Sequence, residues 1–366
     1  MMLLAKRCFG AMCAAGLVCL LAQPARAIVG GNPNPPKDSN GNNLYPADSP
    51  NNPYNPVTQT GRLDSLGLLS PFSGVGAIDG GTGTLLDSTH VLTAAHLFGA
   101  SGTLSGVGFS LDSGNGMVSF DATRVDISPD FHGVNPDDAG DIAIVTLSAP
   151  VPATYRTYGL YTGALTSGTT LTMVGYGDSG NGVTGYDSSA RARRVGKNNA
   201  DAFLLPGGQS YDTTYQPGDG VYLFDFDSQD GDTATAPNVI GGPSLGNDVE
   251  ATLGNGDSGG PGFVLVNGQY EIAAINNFLI QYGTNANPGP NFPLFGSGGA
   301  GWWCRPTPAS WAALCPSPPR NLHRGWCSPW AACCWADARC GVRAGADRES
   351  GGAERIKTLP VPKGSR

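Results

Sequence analysis

Short apolar runs, separated by turn residues, recur along most of the chain. Runs of about five residues at Gly74–Ile78, Thr89–Thr93 and Ile142–Leu147 are rich in apolar and β-branched side chains, which is typical of strands. Glycine, asparagine, aspartate and serine fill the segments between them. No amphipathic pattern of about 12 residues or more indicates a helix between residues 28 and 300. The pattern therefore predicts an all-β fold, either a sandwich or a barrel.

The first 27 residues have a different pattern. Lys6 and Arg7 precede an apolar stretch, and Ala25-Arg26-Ala27 has the small-x-small arrangement that signal peptidase reads. The apolar stretch is shorter than the about 20 residues that a membrane span needs, which argues against a retained helix. We expect residues 1–27 to be a signal peptide cleaved after Ala27. The mature chain, with no obvious membrane span as written, is then secreted, periplasmic or at the cell surface.

Composition divides the remainder into two parts. Six of the nine cysteines and all six tryptophans lie beyond residue 300, and the other cysteines lie in the signal peptide. Residues 28–300 thus have no cysteine, and their stability must come from core burial. This region has 8 Lys+Arg against 25 Asp+Glu, and the whole chain has a net charge of −8. An acidic surface argues against nucleic acid or anionic lipid as a partner.

Residues 301–366 form an atypical tail rich in cysteine, tryptophan and arginine. Six cysteines allow a disulfide or metal module, but no CxxC pair recurs at a zinc-like spacing. The tail has neither strand nor helix periodicity. We interpret it as disordered or as a frame-shifted translation, because the residue usage changes abruptly.

One acidic run and two histidines are candidate metal ligands. The run contains Asp225, Asp227, Asp230 and Asp232, whose oxygens suit calcium, but it lacks the full spacing and terminal Glu of an EF-hand. A solvated acidic turn is the better interpretation. His90 and His132 have no partners at metal-ligand spacing and are interpreted as structural or surface residues. The sequence therefore predicts no metal and no cofactor.

A glycine-rich segment surrounds Ser258. The hexapeptide Gly256 to Pro261 permits a tight turn and a close approach of substrate to the main chain, which makes Ser258 a candidate nucleophile. A serine needs a base, and His96 follows small residues at the end of an apolar run. Asp141 opens another apolar run, where a buried carboxylate needs a hydrogen-bonding partner.

In chain order, these motifs resemble the chymotrypsin- and trypsin-like serine proteases over residues 28 to about 285. The matching segments are Ile28-Val29-Gly30-Gly31 for the mature N-terminus, Thr93-Ala94-Ala95-His96, Asp141-Ile142-Ala143, Val174-Gly175-Tyr176-Gly177 and the Ser258 hexapeptide. The resemblance implies two antiparallel Greek-key β-barrels, at about 28–155 and about 156–285, in a protease domain of residues 28–300. The active site is then expected in the cleft between the barrels.

The resemblance also implies a role for each motif residue. Ser258 is the expected nucleophile, His96 the base and Asp141 the group that orients the imidazole. The amides of Gly256 and Ser258 are expected to form the oxyanion hole.

Two further residue pairs follow from the same resemblance. The ammonium of Ile28 is expected to pair with Asp257 after cleavage. Thr252 and Asn277 are expected at the specificity pocket. Thr252 offers no countercharge for a basic side chain, so a small or uncharged primary side chain is predicted. Leu97 stands where the family commonly has a cysteine, so the usual disulfide is absent.

Two alternatives remain beside a serine endopeptidase acting on proteins or peptides through an acyl-enzyme. The segment around Ser258 also fits the G-x-S-x-G pattern of α/β-hydrolase esterases, but those enzymes place the histidine after the serine. Here only His323, in the tail, follows Ser258. A catalytically inactive, protease-like binding protein would keep the same fold and cleft.

Overall fold

The structure is a computed structural model, and it describes residues 28–30, 62–64, 66–99, 106–133, 140–182, 185–188, 192–204, 211–212, 220–227, 240–246, 249–281 and 296–303. The chain divides into two units, residues 1–307 and 308–366, and every described residue lies in the first. The signal peptide, Asp230, Asp232 and the tail beyond residue 303 lie outside the described residues.

Nineteen strands make up almost all of the regular structure in these ranges. The first eight are β1 (Ile28–Gly30), β2 (Arg62–Leu63), β3 (Val75–Ile78), β4 (Gly81–Leu85), β5 (His90–Thr93), β6 (Gly108–Asp112), β7 (Met117–Ile127) and β8 (Ala143–Leu147). The others are β9 (Thr169–Gly175), β10 (Ser179–Asn181), β11 (Gly185–Ser188), β12 (Arg194–Ala200), β13 (Ala202–Leu204), β14 (Tyr211–Asp212), β15 (Gly220–Asp225), β16 (Ala251–Thr252), β17 (Pro261–Val266), β18 (Gln269–Gln281) and β19 (Ser297–Trp303).

The first half of the chain forms a closed antiparallel barrel. Its strands neighbour one another in the order β3-β4-β5-β8-β7-β6, and β6 pairs with β3 to complete the ring. The core contains Val91, Phe109 and Val145, which are fully buried. Short apolar strands give this arrangement because a closed barrel buries their inward-facing side chains without leaving an unpaired edge.

The second half contains a nine-stranded antiparallel sheet in the order β14-β13-β15-β19-β18-β17-β9-β12-β2. Only Asp201 separates β12, which pairs with β9, from β13, which pairs with β15. The sheet therefore returns on itself through one bent strand. Across the same gap, Asn198 Nδ2 donates to the carbonyl of Asp225 at 2.6 Å. Strands β9, β12 with β13, β15, β19, β18 and β17 thus form a second ring.

The structure corrects the predicted barrel boundaries. The first barrel, expected at about 28–155, has strands only from Val75 to Leu147, because β1 and β2 pair with strands of the second half. The second barrel, expected to end near residue 285, includes β19, which lies between β15 and β18. Residues 301–303, assigned to the tail, therefore belong to the barrel. The change in composition beyond residue 300 therefore does not coincide with the end of the barrel.

Two sets of contacts join the halves. Phe263 on β17 packs against Phe72 and Tyr158 from the first half, with ring centroids 5.9 Å and 4.7 Å away. The buried guanidinium of Arg193 donates from Nε to Asp64 Oδ2 at 2.8 Å, and its Nη2 lies 3.8 Å from Asp112 Oδ2 on β6 of the first barrel. The link between the halves is therefore both aromatic and ionic.

The all-β prediction is confirmed. Helical structure in the described ranges is limited to two short 3₁₀ turns, Gly67–Leu69 and Ala95–Phe98. None of the helices described there has the length and apolar character to span a bilayer.

Candidate active site

His96 and Asp141 meet just beyond the ends of two paired strands. The pairing of β5 with β8 sets Thr93 opposite Ala143, so the turn that carries His96 lies beside Asp141. His96 Nδ1 lies 2.7 Å from Asp141 Oδ2, and the His96 amide donates to Oδ1 at 2.9 Å. A neutral imidazole that donates from Nδ1 presents its acceptor at Nε2. The ring is thus oriented to accept a proton.

Asn277 contacts the same carboxylate. It lies at an irregularity of β18, where the register with β19 shifts between Asn276 and Phe278. The buried Asn277 Nδ2 donates to Asp141 Oδ2 at 2.7 Å and to the Asp141 carbonyl at 3.1 Å. Its Oδ1 accepts from the Trp302 amide at 2.8 Å. In this structure the Asn277 side chain supports Asp141, and its expected role at the specificity pocket stays a prediction.

Ser258 is partly exposed and lies close to this network. Its hydroxyl donates to the Asn277 carbonyl at 3.2 Å. A link of three hydrogen bonds thus runs from Ser258 through Asn277 and Asp141 to His96. A serine hydroxyl has one proton, so Ser258 must release the Asn277 carbonyl before it can donate to His96 Nε2.

The main chain around Ser258 is held by hydrogen bonds. The Asp257 amide donates to the Gly254 carbonyl at 3.0 Å, and the Gly259 amide donates to the Asn276 carbonyl at 2.7 Å. The Gly256 and Ser258 amides, by contrast, have no protein acceptor within the described part of the chain. These are the two amides expected to stabilise an oxyanion.

Two glycines are required by the geometry of this loop. Gly256 has φ 93°, and Gly259 has φ 83°, in the region that L side chains rarely adopt. A Cβ on Gly259 would lie 2.2 Å from Thr93 Oγ1 and 2.3 Å from the Thr82 carbonyl oxygen. Glycine therefore lets the Ser258 loop approach the first barrel closely.

Ile28 and Asp257 are brought together as expected from the resemblance. Asp257 is fully buried, and its carboxylate accepts from the amides of Gly254 at 2.7 Å and Gly177 at 2.8 Å. The main-chain nitrogen of Ile28 also interacts with it. Burial raises the pKa of Asp257 to about 7, although these amides act to lower it. A positive charge beside Asp257 would therefore stabilise its ionised form.

Thr252 is fully buried on β16, opposite Val29 of β1. Its hydroxyl has no hydrogen-bond partner within the described ranges. The residue offers neither charge nor an exposed surface here.

Leu97 occupies the position after His96 at which the resemblance implies a cysteine. A Cβ on Gly81 would lie 2.5 Å from Leu97 Cδ1 and 2.7 Å from the Ser258 carbonyl oxygen. Gly81 therefore makes room for the leucine side chain between the histidine turn and β4. An apolar contact stands where the family commonly has a disulfide.

Comparison with known proteins agrees with these observations. The family model described as Trypsin matches residues 67–201, the segment that contains His96 and Asp141. This segment is trypsin-like. The match confirms the resemblance to chymotrypsin- and trypsin-like proteases and supports a serine-type peptidase.

Comparison with solved structures and curated proteins adds little to the trypsin-like match. Among solved structures, neuropsin, a serine protease expressed in the limbic system of mouse brain, is similar over 64% of this chain and 90% of its own, with 16% identity and a TM-score of 0.42. No curated protein matches the chain.

A group of buried acids lies in the second half of the chain. Burial, together with neighbouring acidic groups, raises the pKa of Asp201 to about 9 and those of Asp227 and Glu250 to about 7. Glu250 accepts from Ser244 Oγ at 2.8 Å and from the Leu245 amide at 2.7 Å. Among the described residues, no group of three His, Cys, Asp or Glu side chains is arranged to hold a metal ion.

Proposed function

We propose that the protein is an exported serine endopeptidase that cleaves proteins or peptides with Ser258, His96 and Asp141. The observation that carries this proposal is the hydrogen bond between His96 Nδ1 and Asp141 Oδ2, beside a serine loop in which two amides have no acceptor among the described residues. The resemblance of the motifs to the trypsin-like family supports the same assignment.

Each step of the proposed reaction uses a group that is available in this site. Ser258 Oγ attacks the peptide carbonyl while its proton passes to His96 Nε2. The carbonyl oxygen becomes an oxyanion that accepts from the amides of Gly256 and Ser258. The C–N bond then breaks, His96 gives its proton to the leaving amine, and an acyl-enzyme remains. Water then attacks the acyl carbonyl while His96 takes its proton. The ester C–O bond breaks as His96 returns the proton to Ser258 Oγ, and the acid leaves.

Asp141 keeps the imidazole in the required tautomer and stabilises its cation. Both carboxylate oxygens accept hydrogen bonds from His96, one from the ring and one from the main-chain amide. Asp141 therefore holds both the imidazole and the backbone that carries it. The Asn277 amide group donates to Oδ2 and holds the carboxylate in place. A buried carboxylate with three donors is the arrangement that a stable anion requires.

We propose that removal of the signal peptide also matures the enzyme. Ile28 has φ 60°, a conformation that is strained for a β-branched residue. Cleavage after Ala27 removes this constraint, because no peptide plane then precedes Ile28. The new ammonium would lie beside the buried Asp257 and lower its pKa from about 7. N-terminal sequencing tests this idea, and an active protein that begins elsewhere would overturn it.

A labelling experiment tests the enzyme itself. The exported, processed protein is treated with a fluorophosphonate probe and assayed for casein cleavage, alongside Ser258→Ala and His96→Ala. We expect both variants to lose labelling, and turnover to fall by up to about 10⁶-fold, because the three residues act as a unit. His90→Ala is the control, since His90 pairs with Asp87 on the first barrel.

Two other results would replace the proposal. Labelling with hydrolysis of esters but not of casein or peptides would favour a serine esterase. A folded protein that neither labels nor cleaves would favour an inactive binding protein.

A further inference from the structure

A buried threonine of the first barrel holds the main chain of the Ser258 loop. Thr82 lies on β4 and is fully buried. Its amide donates to the Ser258 carbonyl at 2.8 Å, and its hydroxyl donates to the Gly256 carbonyl at 2.9 Å. These two carbonyls flank Asp257. One residue of the first barrel therefore fixes the loop on both sides of that aspartate.

The hydroxyl of Thr82 has a second partner. It accepts from the Tyr176 amide at 2.9 Å, while the next amide, of Gly177, donates to Asp257 Oδ1 at 2.8 Å. The Thr82 hydroxyl thus donates once and accepts once. It joins three segments that are distant in sequence: β4, the end of β9 and the Ser258 loop.

The hydrogen bond from the Thr82 hydroxyl matters because its acceptor is the Gly256 carbonyl. Glycine has the widest conformational freedom of any residue, and only its φ and ψ separate its amide from its carbonyl. Holding the Gly256 carbonyl therefore limits the directions in which the Gly256 amide can point. That amide is one of the two in the Ser258 loop that have no acceptor in the described part of the protein. Residues 28–300 contain no cysteine, so no disulfide can share this task.

We propose that the Thr82 hydroxyl is a positioning group for the oxyanion hole. It does not touch the substrate; it acts by holding the Gly256 carbonyl and the Tyr176 amide in fixed directions. This inference rests on the proposed peptidase function for its effect on turnover. Its structural part, an ordered loop from residue 254 to residue 260, can be tested without any activity.

The chain offers matched variants. Thr82→Val keeps the shape of the side chain but leaves the Gly256 carbonyl and the Tyr176 amide without this partner. Thr82→Ser keeps the hydroxyl. Thr84→Val is the control, because Thr84 lies on the same strand, is equally buried, and has a hydroxyl with no partner within the described part of the chain.

Two measurements on the exported, processed full-length chain decide the matter. The first is hydrogen–deuterium exchange of peptides that cover residues 254–260. We expect at least about tenfold faster exchange in Thr82→Val, and wild-type rates in Thr82→Ser and Thr84→Val, since a lost hydrogen bond makes local opening easier. Unchanged exchange in Thr82→Val, or equally fast exchange in Thr84→Val, would overturn the proposal.

The second measurement is peptide hydrolysis together with inhibition by a peptide boronate, which forms a tetrahedral adduct. In Thr82→Val we expect kcat to fall about 10- to 100-fold with KM within about twofold, less than the about 10²–10³-fold cost of losing an oxyanion donor outright. Boronate affinity should fall in parallel, and Thr82→Ser should recover most of both. If Thr82→Ser is as impaired as Thr82→Val, the hydroxyl is not the relevant group and the proposal is wrong. An inactive wild-type chain would refute the peptidase function, while the exchange experiment would still test Thr82.

Discussion

Replacing Asn277 separates a role in the proposed reaction from a role in substrate binding. Asn277→Leu keeps the approximate size of the side chain but removes the donor to Asp141 Oδ2 and the acceptor for the Trp302 amide. A hydrogen bond to a charged group contributes about 1.5–3 kcal/mol, and Asp141 keeps both of its bonds from His96. We therefore assign about 1–2 kcal/mol to the barrier, which is about a 5- to 30-fold loss of kcat.

The assay is steady-state hydrolysis of a series of peptides by the processed protein. If Asn277 supports Asp141, the variant Asn277→Leu should have a lower kcat for every peptide and a nearly unchanged KM. Asn277→Asp, which has the same shape but sets a second acceptor against Asp141, should lose more activity. If KM rises for some peptides while kcat is unchanged, Asn277 lines the specificity pocket and our reasoning from the 2.7 Å contact is refuted.

Three further predictions concern stability. Asp64→Ala removes the buried partner of Arg193 and leaves Asp112, 3.8 Å away, as its acidic partner, so it should lower the free energy of unfolding by up to about 3–5 kcal/mol. Arg124→Ala, in an exposed pair, should cost less than about 1 kcal/mol, and equal urea midpoints would contradict this difference. Asp201, Asp227 and Glu250 ionise near pH 4 in the unfolded chain but keep their protons up to about pH 7 to 9 in the folded protein. The urea midpoint should therefore fall as pH rises from 6 to 9, and it should fall less steeply in Asp201→Asn. A midpoint that rises with pH would exclude protonated acids in the folded protein. Dithiothreitol should leave the midpoint of thermal unfolding unchanged, because residues 28–303 have no cysteine. A lower midpoint would mean that disulfides of the tail cysteines contribute to stability.

Local features of the site could be predicted from the sequence. Glycines around Ser258, small residues before His96 and an apolar run after Asp141 each act within a few residues, so their spacing carries the information. The all-β class follows in the same way from short apolar runs.

Features that depend on contacts between segments far apart in the chain could not be predicted from the sequence. The role of Asn277 depends on a register shift between β18 and β19, and a shift by one residue reverses the direction of a side chain. Thr82 looks like an ordinary strand residue, because its partners lie about 94 and 174 positions away in the sequence. The sequence does not mark the end of the second barrel, since glycines and tryptophans at residues 297–303 do not alternate as strand residues usually do.

The position of β19 has a consequence for the order in which the protein folds. This strand is the last described one in the chain, yet it lies between β15 and β18 and separates them. A chain delivered from its N-terminus can complete the first barrel once Leu147 has emerged, but the second ring stays open until Trp303 follows. Ile28, from the other end of the described residues, is buried in the core cluster of the second half with Leu171 and Phe224. The second half is therefore complete only when both the first and the last of the described strands are in place.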